Sequence, residues 1–162
     1  MPLTPKADAC DAWFLRFAFD LLRVPLAAFP SAVLGAAVLA AEDVSFVLVG
    51  SAALWLRGEI ACVADADAVI EPGERNVRRV REAFAGIAIG PVPSVASLSG
   101  GSVVPVVTAY GKVDCLVERG RRDWGRLRRG AGFLLVADVP VLVASSTDAW
   151  NLRRRFKERV NE

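Results

Sequence analysis

Two aspartates in an otherwise apolar run place the strongest constraint on how this chain folds. Asp65 and Asp67 are separated by one alanine and followed by Ala68-Val69-Ile70, a pattern typical of a buried strand. Because side chains alternate along a strand, both carboxylates point to the same face. Two carboxylates in that position repel each other unless a cation neutralises them. A hard divalent cation, bound by carboxylates and phosphate oxygens, is the expected solution.

A third carboxylate, Asp114, lies in the middle of another apolar run, Lys112 to Val117. A charge in such a strand is costly without a partner. A strand placed beside the first would bring Asp114 to the same cations, and three carboxylates with two metal ions and a triphosphate form a site for in-line displacement. The alternative is that Asp114 pairs with Lys112 or a neighbouring arginine.

A glycine and a serine follow the strand that precedes this pair. The run Val44 to Val49 predicts a buried strand that stops at Gly50, and residues 51–57 predict a helix that ends at Gly58. A glycine at a strand end lets the backbone approach a ligand closely, and a helix start presents N–H groups to phosphate. Ser51 adds a hydroxyl. An ordinary strand-to-helix turn is the alternative interpretation.

The ordered combination of these elements resembles the nucleotidyltransferase superfamily of the polymerase-β type. The resemblance is carried by Leu48 to Gly58, by Asp65-Ala-Asp67, and by the last helix, where Ser145-Ser-Thr-Asp148 precedes Arg153. In particular, the chain is similar to minimal nucleotidyltransferases and to AbiEii- or MenT-like toxin proteins. The resemblance covers roughly residues 44–157.

This resemblance implies an α/β (α+β) fold, a small mixed β-sheet flanked by helices. It implies that Asp65, Asp67 and Asp114 bind Mg²⁺ or Mn²⁺, and that Asp114 also helps to deprotonate the acceptor. The implied reaction transfers a nucleoside monophosphate from an NTP to a hydroxyl of RNA or protein and releases pyrophosphate. A role in a toxin–antitoxin pair would add a cognate partner protein.

The same resemblance assigns nucleotide binding to four residues. Gly50 and Ser51 would hold the triphosphate, while Arg57 and Arg153 would supply positive charge. The family often has an arginine and a threonine shortly before the paired aspartates, where this chain has Ala61 and Val63. Arginine at 153 also replaces the usual lysine, which keeps the charge but changes the geometry.

These departures favour a second hypothesis, a catalytically degenerate subunit of the same fold that binds nucleotide or a partner without turnover. A third is a structural subunit whose apolar surface packs on another chain or on a second copy of itself. Its Ala-rich N-terminal helices are the candidate contact.

Composition excludes several other classes. The chain has 162 residues, of which 54% are hydrophobic, and a net charge of +2, and it predicts one domain with a helical N-terminal segment (1–43) and a core (44–162). It has no histidine, which excludes Ser-His-Asp and Cys-His catalysis. The cysteines Cys10, Cys62 and Cys115 form no CxxC motif, so buried, inert thiols in a reducing cytoplasm are expected.

The uncharged stretch Val24 to Ala41 is interrupted by prolines and predicts two buried helices, over 9–23 and from Ser31, rather than a membrane span. Ser31 is the expected N-cap. Residues 97–102 predict a loop, and the four tryptophans predict packing residues. Further helices are expected over 74–86, 121–129 and 147–160. A further strand is expected over 103–107, and one or two strands within 133–143.

Charge is unevenly distributed along the chain. From Arg119 to Glu162 there are eleven Lys or Arg and five Asp or Glu, against four and six in the first sixty residues. This cationic C-terminal quarter suits a polyanion such as an NTP or RNA. A solvated helix face is the alternative.

Overall fold

A mixed sheet carries the helices and positions every candidate residue. The computed structural model describes residues 29–117 and 121–160. Within these ranges the elements are α1 (Ser31–Ala41), β1 (Phe46–Val49), α2 (Gly50–Leu56), β2 (Ala66–Ile70), α3 (Glu74–Ile87), α4 (Val95–Ser99), β3 (Val104–Thr108), β4 (Gly111–Val117), α5 (Arg121–Gly130), β5 (Gly132–Val136), β6 (Val139–Val143) and α6 (Ser146–Val160).

The six strands are ordered β3-β4-β2-β1-β6-β5. The pairs β2–β4 and β1–β6 are parallel, while β1–β2, β3–β4 and β5–β6 are antiparallel. The central strands β1 and β2 are buried along their whole length, which explains why their sequences are apolar at nearly every position. The only polar residue among the nine is Asp67.

Helix periodicity explains the packing of α3. Val77, Val80 and Phe84 are buried, and the arginines Arg75, Arg78 and Arg81 are exposed on the other face, as the sequence predicts. The helix α1 packs against β2, β4 and β6, and α2 packs against α6. Because α2 directly follows β1, whose last residue pairs near the start of β2, the N-terminal ends of α2 and β2 lie close together.

The predicted helix end at Gly58 is confirmed, and the strand region predicted within 133–143 is a hairpin. Helix α2 ends in left-handed Gly58, and the amides of Gly58 and Glu59 donate to the carbonyls of Trp55 and Leu54, both at 2.9 Å. Residues 133–143 form two strands, β5 and β6, joined at Ala137 and Asp138. Both turn residues have positive φ, the conformation of a tight hairpin.

Three local predictions are wrong. Ser31 is the first residue of α1 rather than its N-cap, a position occupied by Pro30. The predicted loop at 97–102 begins inside α4, because the Ser94 hydroxyl accepts a hydrogen bond from the Ser97 amide at 3.0 Å and starts a helical turn. Strand β2 begins at Ala66, one residue later than expected.

Burial also corrects two predictions. Cys115 is buried as expected, and burial raises the pKa of its thiol, but Cys62 is exposed. Trp124 is buried, whereas Trp150 is 41% exposed rather than a packing residue. The predicted helix over 9–23, with Cys10 and Trp13, lies outside the described residues.

No helix within 29–117 and 121–160 has both the length and the apolar character that crossing a bilayer requires.

Candidate active site

The three aspartates meet where β1, β2 and β4 lie side by side. In the parallel pairing of β2 with β4, Asp67 is directly opposite Asp114. Asp65 comes immediately before β2. In the antiparallel pairing of β1 with β2, Asp67 is opposite Val49, the last residue of β1. Gly50, which follows Val49, therefore lies close to Asp67. The predicted adjacency of the two carboxylate-bearing strands is confirmed.

Two of these carboxylates are deeply buried. Asp67 is 6% exposed and Asp114 4%. Burial, reinforced by the negative charges of Asp65 and Asp114, raises the pKa of Asp67 to about 7. Burial also raises the pKa of Asp114, which a hydrogen bond from Lys112 partly offsets. The site therefore stores unfavourable negative charge that a cation would relieve.

A lysine lies between two of the carboxylates. The Nζ atom of Lys112 is 2.9 Å from Asp65 Oδ2 and 3.0 Å from Asp114 Oδ2. Burial alone would lower the pKa of Lys112, but the hydrogen bonds and charges of Asp65 and Asp114 outweigh it and raise that pKa. The sequence suggests Lys112 only as an alternative partner for Asp114. Its position two residues before Asp114 on one strand, hence on the same face, is the signal for a site residue.

The donor set suits a hard cation, with one obstacle. Asp114 Oδ1 is buried and has no hydrogen-bond partner among the described residues, so it has an unused ligand position. Carboxylate oxygens are what Mg²⁺ and Mn²⁺ prefer. However, within residues 29–117 and 121–160 no three acidic or thiol side chains already converge on one metal position. The ammonium of Lys112 lies between two of the expected ligands.

Gly50 and Ser51 adjoin the carboxylates. Gly50 has φ +63°, and a Cβ atom there would overlap Asp67 Oδ2 and lie 3.1 Å from Asp67 Cγ. The absence of a side chain at Gly50 thus leaves space for the Asp67 carboxylate. The Ser51 hydroxyl donates to the main-chain carbonyl of Asp65 at 3.3 Å. The structure therefore places both predicted triphosphate residues next to the aspartates.

Arg153 also reaches this region. Its positive charge lowers the pKa of Asp67, against the larger effects of burial and of Asp65. Its guanidinium lies 5.3 Å from the ring centroid of Trp150, within the range of a cation–π contact. The Trp150 Nε1 donates to Glu59 Oε2 at 2.9 Å, and Ser146 Oγ donates to Glu59 Oε1. The charge of Arg153 is thus felt at Asp67, while its predicted nucleotide contact stays a prediction.

The motif before Arg153 has a structural role. The amide of Asp148 donates to Ser145 Oγ at 3.2 Å, so Ser145 caps α6. The Asp148 carboxylate accepts from Ser145 Oγ at 3.2 Å and from Arg126 Nη1 at 2.9 Å. The Ser-x-x-Asp pattern therefore starts and orients the helix that carries Arg153.

Arg57 lies apart from this arrangement. Its side chain is 7% exposed, and its Nε donates to the Ala144 carbonyl at 2.6 Å and its Nη2 to that of Val143 at 3.4 Å. These bonds tie the end of α2 to the end of β6. The predicted nucleotide contact of Arg57 has no support from this placement, because its guanidinium is committed to main-chain carbonyls.

Comparison with known proteins supports the fold. A solved structure from Thermotoga maritima, provisionally described as a nucleotidyltransferase, matches 74% of this chain and 81% of its own with a TM-score of 0.51 and 15% sequence identity. At this identity the likeness concerns the fold alone, and the mixed sheet flanked by helices is of nucleotidyltransferase type, as predicted. Neither a family model nor a curated protein sequence gives a match to the chain.

Proposed function

We propose that this chain is a nucleotidyltransferase that depends on Mg²⁺ or Mn²⁺ and moves a nucleoside monophosphate from an NTP to a hydroxyl, releasing pyrophosphate. The observation that carries the proposal is the register of β2 and β4, which sets Asp67 opposite Asp114 beside the turn at Gly50 and Ser51. Like charges directly opposite each other in a sheet are destabilising, so this register supports a site at which a cation binds.

Each residue of the site has a defined part in this reaction. Asp65, Asp67 and Asp114 would hold the divalent cation, which, when bound, neutralises charge on the phosphate oxygens. Asp114, with one oxygen unpaired, can also accept the proton of the acceptor hydroxyl.

The remaining residues serve the triphosphate. Arg153 can neutralise part of its charge, and the main chain at Gly50 and the Ser51 hydroxyl can contact its oxygens. Since the Ser51 hydroxyl already donates to a carbonyl, it must rotate to donate to phosphate.

The acceptor that the chain suits best is a hydroxyl of RNA, with a protein hydroxyl as the other candidate. Helix α5 exposes Arg126, which is paired with Asp148, together with Arg128 and Arg129, and exposed cations on a helix attract a phosphodiester backbone. An activity of this kind would suit a toxin–antitoxin component with a cognate partner protein.

Thermal unfolding with each of the four NTPs, with and without Mg²⁺, tests the site. A ligand that binds only the folded state raises the melting temperature. We expect a Mg²⁺-dependent rise for wild type that is absent in Asp65→Ala/Asp67→Ala. The matched control is Glu74→Ala/Asp123→Ala, which removes two exposed carboxylates elsewhere and should respond like wild type. No rise with any NTP would contradict the proposal.

Transfer itself is then measured with NTPs labelled at the α-phosphate, using RNA and protein acceptors. A second candidate function, a degenerate binding or regulatory subunit, is favoured by Lys112, whose ammonium already neutralises two of the carboxylates. Nucleotide binding without pyrophosphate release would support this second candidate. A stable oligomer that ignores nucleotides and Mg²⁺ would instead indicate a structural subunit.

A further inference from the structure

We infer that Lys112 is an internal counter-cation, which neutralises Asp65 and Asp114 in the empty site and exchanges with the divalent cation when the nucleotide binds. The inference rests on the proposed function, because it assumes that these carboxylates accept a divalent cation. Its basis is geometric: one ammonium lies within 3.0 Å of an oxygen from each of two carboxylates. Removing that ammonium would leave the carboxylates facing each other uncompensated.

The neutralisation by Lys112 is incomplete. One ammonium is shared by two carboxylates, and Asp114 Oδ1 keeps no partner among the described residues. A divalent cation brings twice the charge and can accept more oxygen ligands than an ammonium can satisfy. The carboxylates therefore have a reason to exchange the ammonium for a metal ion.

The position of Lys112 also permits the exchange. Its side chain is 40% exposed, while that of Asp114 is only 6% exposed. The ammonium is at the end of a flexible four-carbon stem and can move into solvent without disturbing the core. The carboxylates are fixed, and the cation that holds them is mobile.

After the exchange, Lys112 remains attached to β4 beside the metal and close to where the phosphates would lie. A displaced ammonium there is a point charge suited to a phosphate oxygen. Lys112 thus acts as a positioning residue with two alternative partners: carboxylates before the nucleotide binds, and the triphosphate afterwards.

Binding of Mn²⁺ alone, followed by electron paramagnetic resonance, tests the first half of this exchange. Lys112→Met keeps the stem and removes the charge, so we expect Mn²⁺ to bind about tenfold more tightly than to wild type, since the competing cation is gone. Lys112→Arg keeps the charge, so its Mn²⁺ affinity should lie closer to that of wild type than to that of Lys112→Met. The matched control is Arg78→Met, which removes a cation from an exposed ion pair with Glu74 and should leave Mn²⁺ affinity unchanged.

Binding of a non-hydrolysable NTP at saturating Mn²⁺ tests the second half. We expect Lys112→Met to bind it about tenfold more weakly than wild type, because the ammonium that would contact phosphate is missing. Opposite changes in metal and nucleotide affinity are the signature of the exchange. A purely structural ion pair would weaken both, through disorder of the carboxylates, or change neither. Lys112→Gln replaces Lys112→Met if the latter fails to fold by circular dichroism.

Unchanged or weaker Mn²⁺ binding in Lys112→Met overturns the inference, as does the lack of Mn²⁺ binding in every variant. The proposed function fails separately: opposite affinity changes without transfer to any acceptor would leave the exchange intact and exclude the enzyme.

Discussion

Asp114 and Asp148 are both largely shielded carboxylates paired with a cation, yet their surroundings differ. Asp148, with a side chain 13% exposed, accepts hydrogen bonds from Arg126 and from the Ser145 hydroxyl, and lies in the first turn of α6. Asp114, 6% exposed, has one oxygen on Lys112 and the other without a partner, and faces two like charges. Both carboxylate oxygens of Asp148 have hydrogen-bond partners, whereas only one oxygen of Asp114 has a partner among the described residues.

The number of hydrogen-bond partners, more than the degree of burial, therefore distinguishes a structural carboxylate from a candidate metal ligand. A helix start supplies amides and a dipole that favour a carboxylate. The centre of a sheet supplies neither, since its main-chain groups are already paired with each other. An aspartate placed there must find its compensation outside the fold.

The largest expected effect comes from removing a site carboxylate. Asp67→Asn keeps the shape of the side chain and removes its charge, so nucleotidyl transfer should fall by about 10²–10³-fold while the protein stays folded. The measurement is pyrophosphate release together with circular dichroism. Asp148→Asn should retain most of the transfer, and equal losses in the two variants would break the distinction between them.

The pH dependence of stability should also distinguish Asp67 from Asp148. An unfolded chain releases the Asp67 proton near pH 4, whereas the folded state, with a pKa of about 7, keeps it. The free energy of unfolding should therefore fall as pH rises from about 4 to 7, by roughly 2–4 kcal/mol. Urea titrations of the metal-free protein measure this slope. We expect the slope to be lost in Asp67→Asn and kept in Asp148→Asn; an unchanged slope in Asp67→Asn would assign it to other groups.

A substitution at Gly50 tests how much space the site leaves around the Asp67 carboxylate. Gly50→Ala forces a Cβ into a left-handed backbone and against the Asp67 carboxylate, and should cost roughly 2–3 kcal/mol. Gly58→Ala, at φ +74°, carries the backbone cost of a helix end and should cost only about 1 kcal/mol. Equal costs in denaturant unfolding would mean that the Asp67 carboxylate yields easily.

The smallest expected effects are the losses of stability on substituting Asp148 or Asp114. Asp148→Ala removes an exposed ion pair and part of a helix cap, and should lower the free energy of unfolding by about 1 kcal/mol. Asp114→Asn, measured in the same way without metal, should lose less, because its charge is unfavourable where it lies. A larger loss in Asp114→Asn would show that the ion pair with Lys112 outweighs that cost.

The spacing of apolar residues and the positions at which apolar runs end were enough to predict most helices and strands. The apolar runs ending at Gly50 and at Ile70 give β1 and β2, and the spacing of Val77, Val80 and Phe84 gives α3. The adjacency of β2 and β4 was predicted from the cost of isolated charges, which the pairing of Asp67 with Asp114 confirms.

What the sequence could not show is decided by tertiary contacts. The role of Arg57 depends on carbonyls at the end of β6 that no local pattern indicates. Similarly, nothing near Cys62 or Trp150 in the sequence shows that the fold leaves them exposed. The cap at Ser94, however, depends only on the local sequence. A serine often accepts a hydrogen bond from the amide three residues later at the start of a helix, as Ser94 does from Ser97, so this cap could have been predicted.

The parallel pairing of β2 with β4 also bears on how the protein folds. Residues 71–110 must be ordered or looped out before these strands meet, and such non-local pairing forms slowly. The carboxylates consequently approach each other late, when repulsion between them opposes docking. Because Lys112 and Asp114 belong to the same strand, β4 reaches β2 with its own compensating charge. The contact between Lys112 and Asp65 forms only once the two strands have met. Substituting Lys112 would then speed unfolding more than it slows refolding, as is expected of a contact formed after the folding transition state.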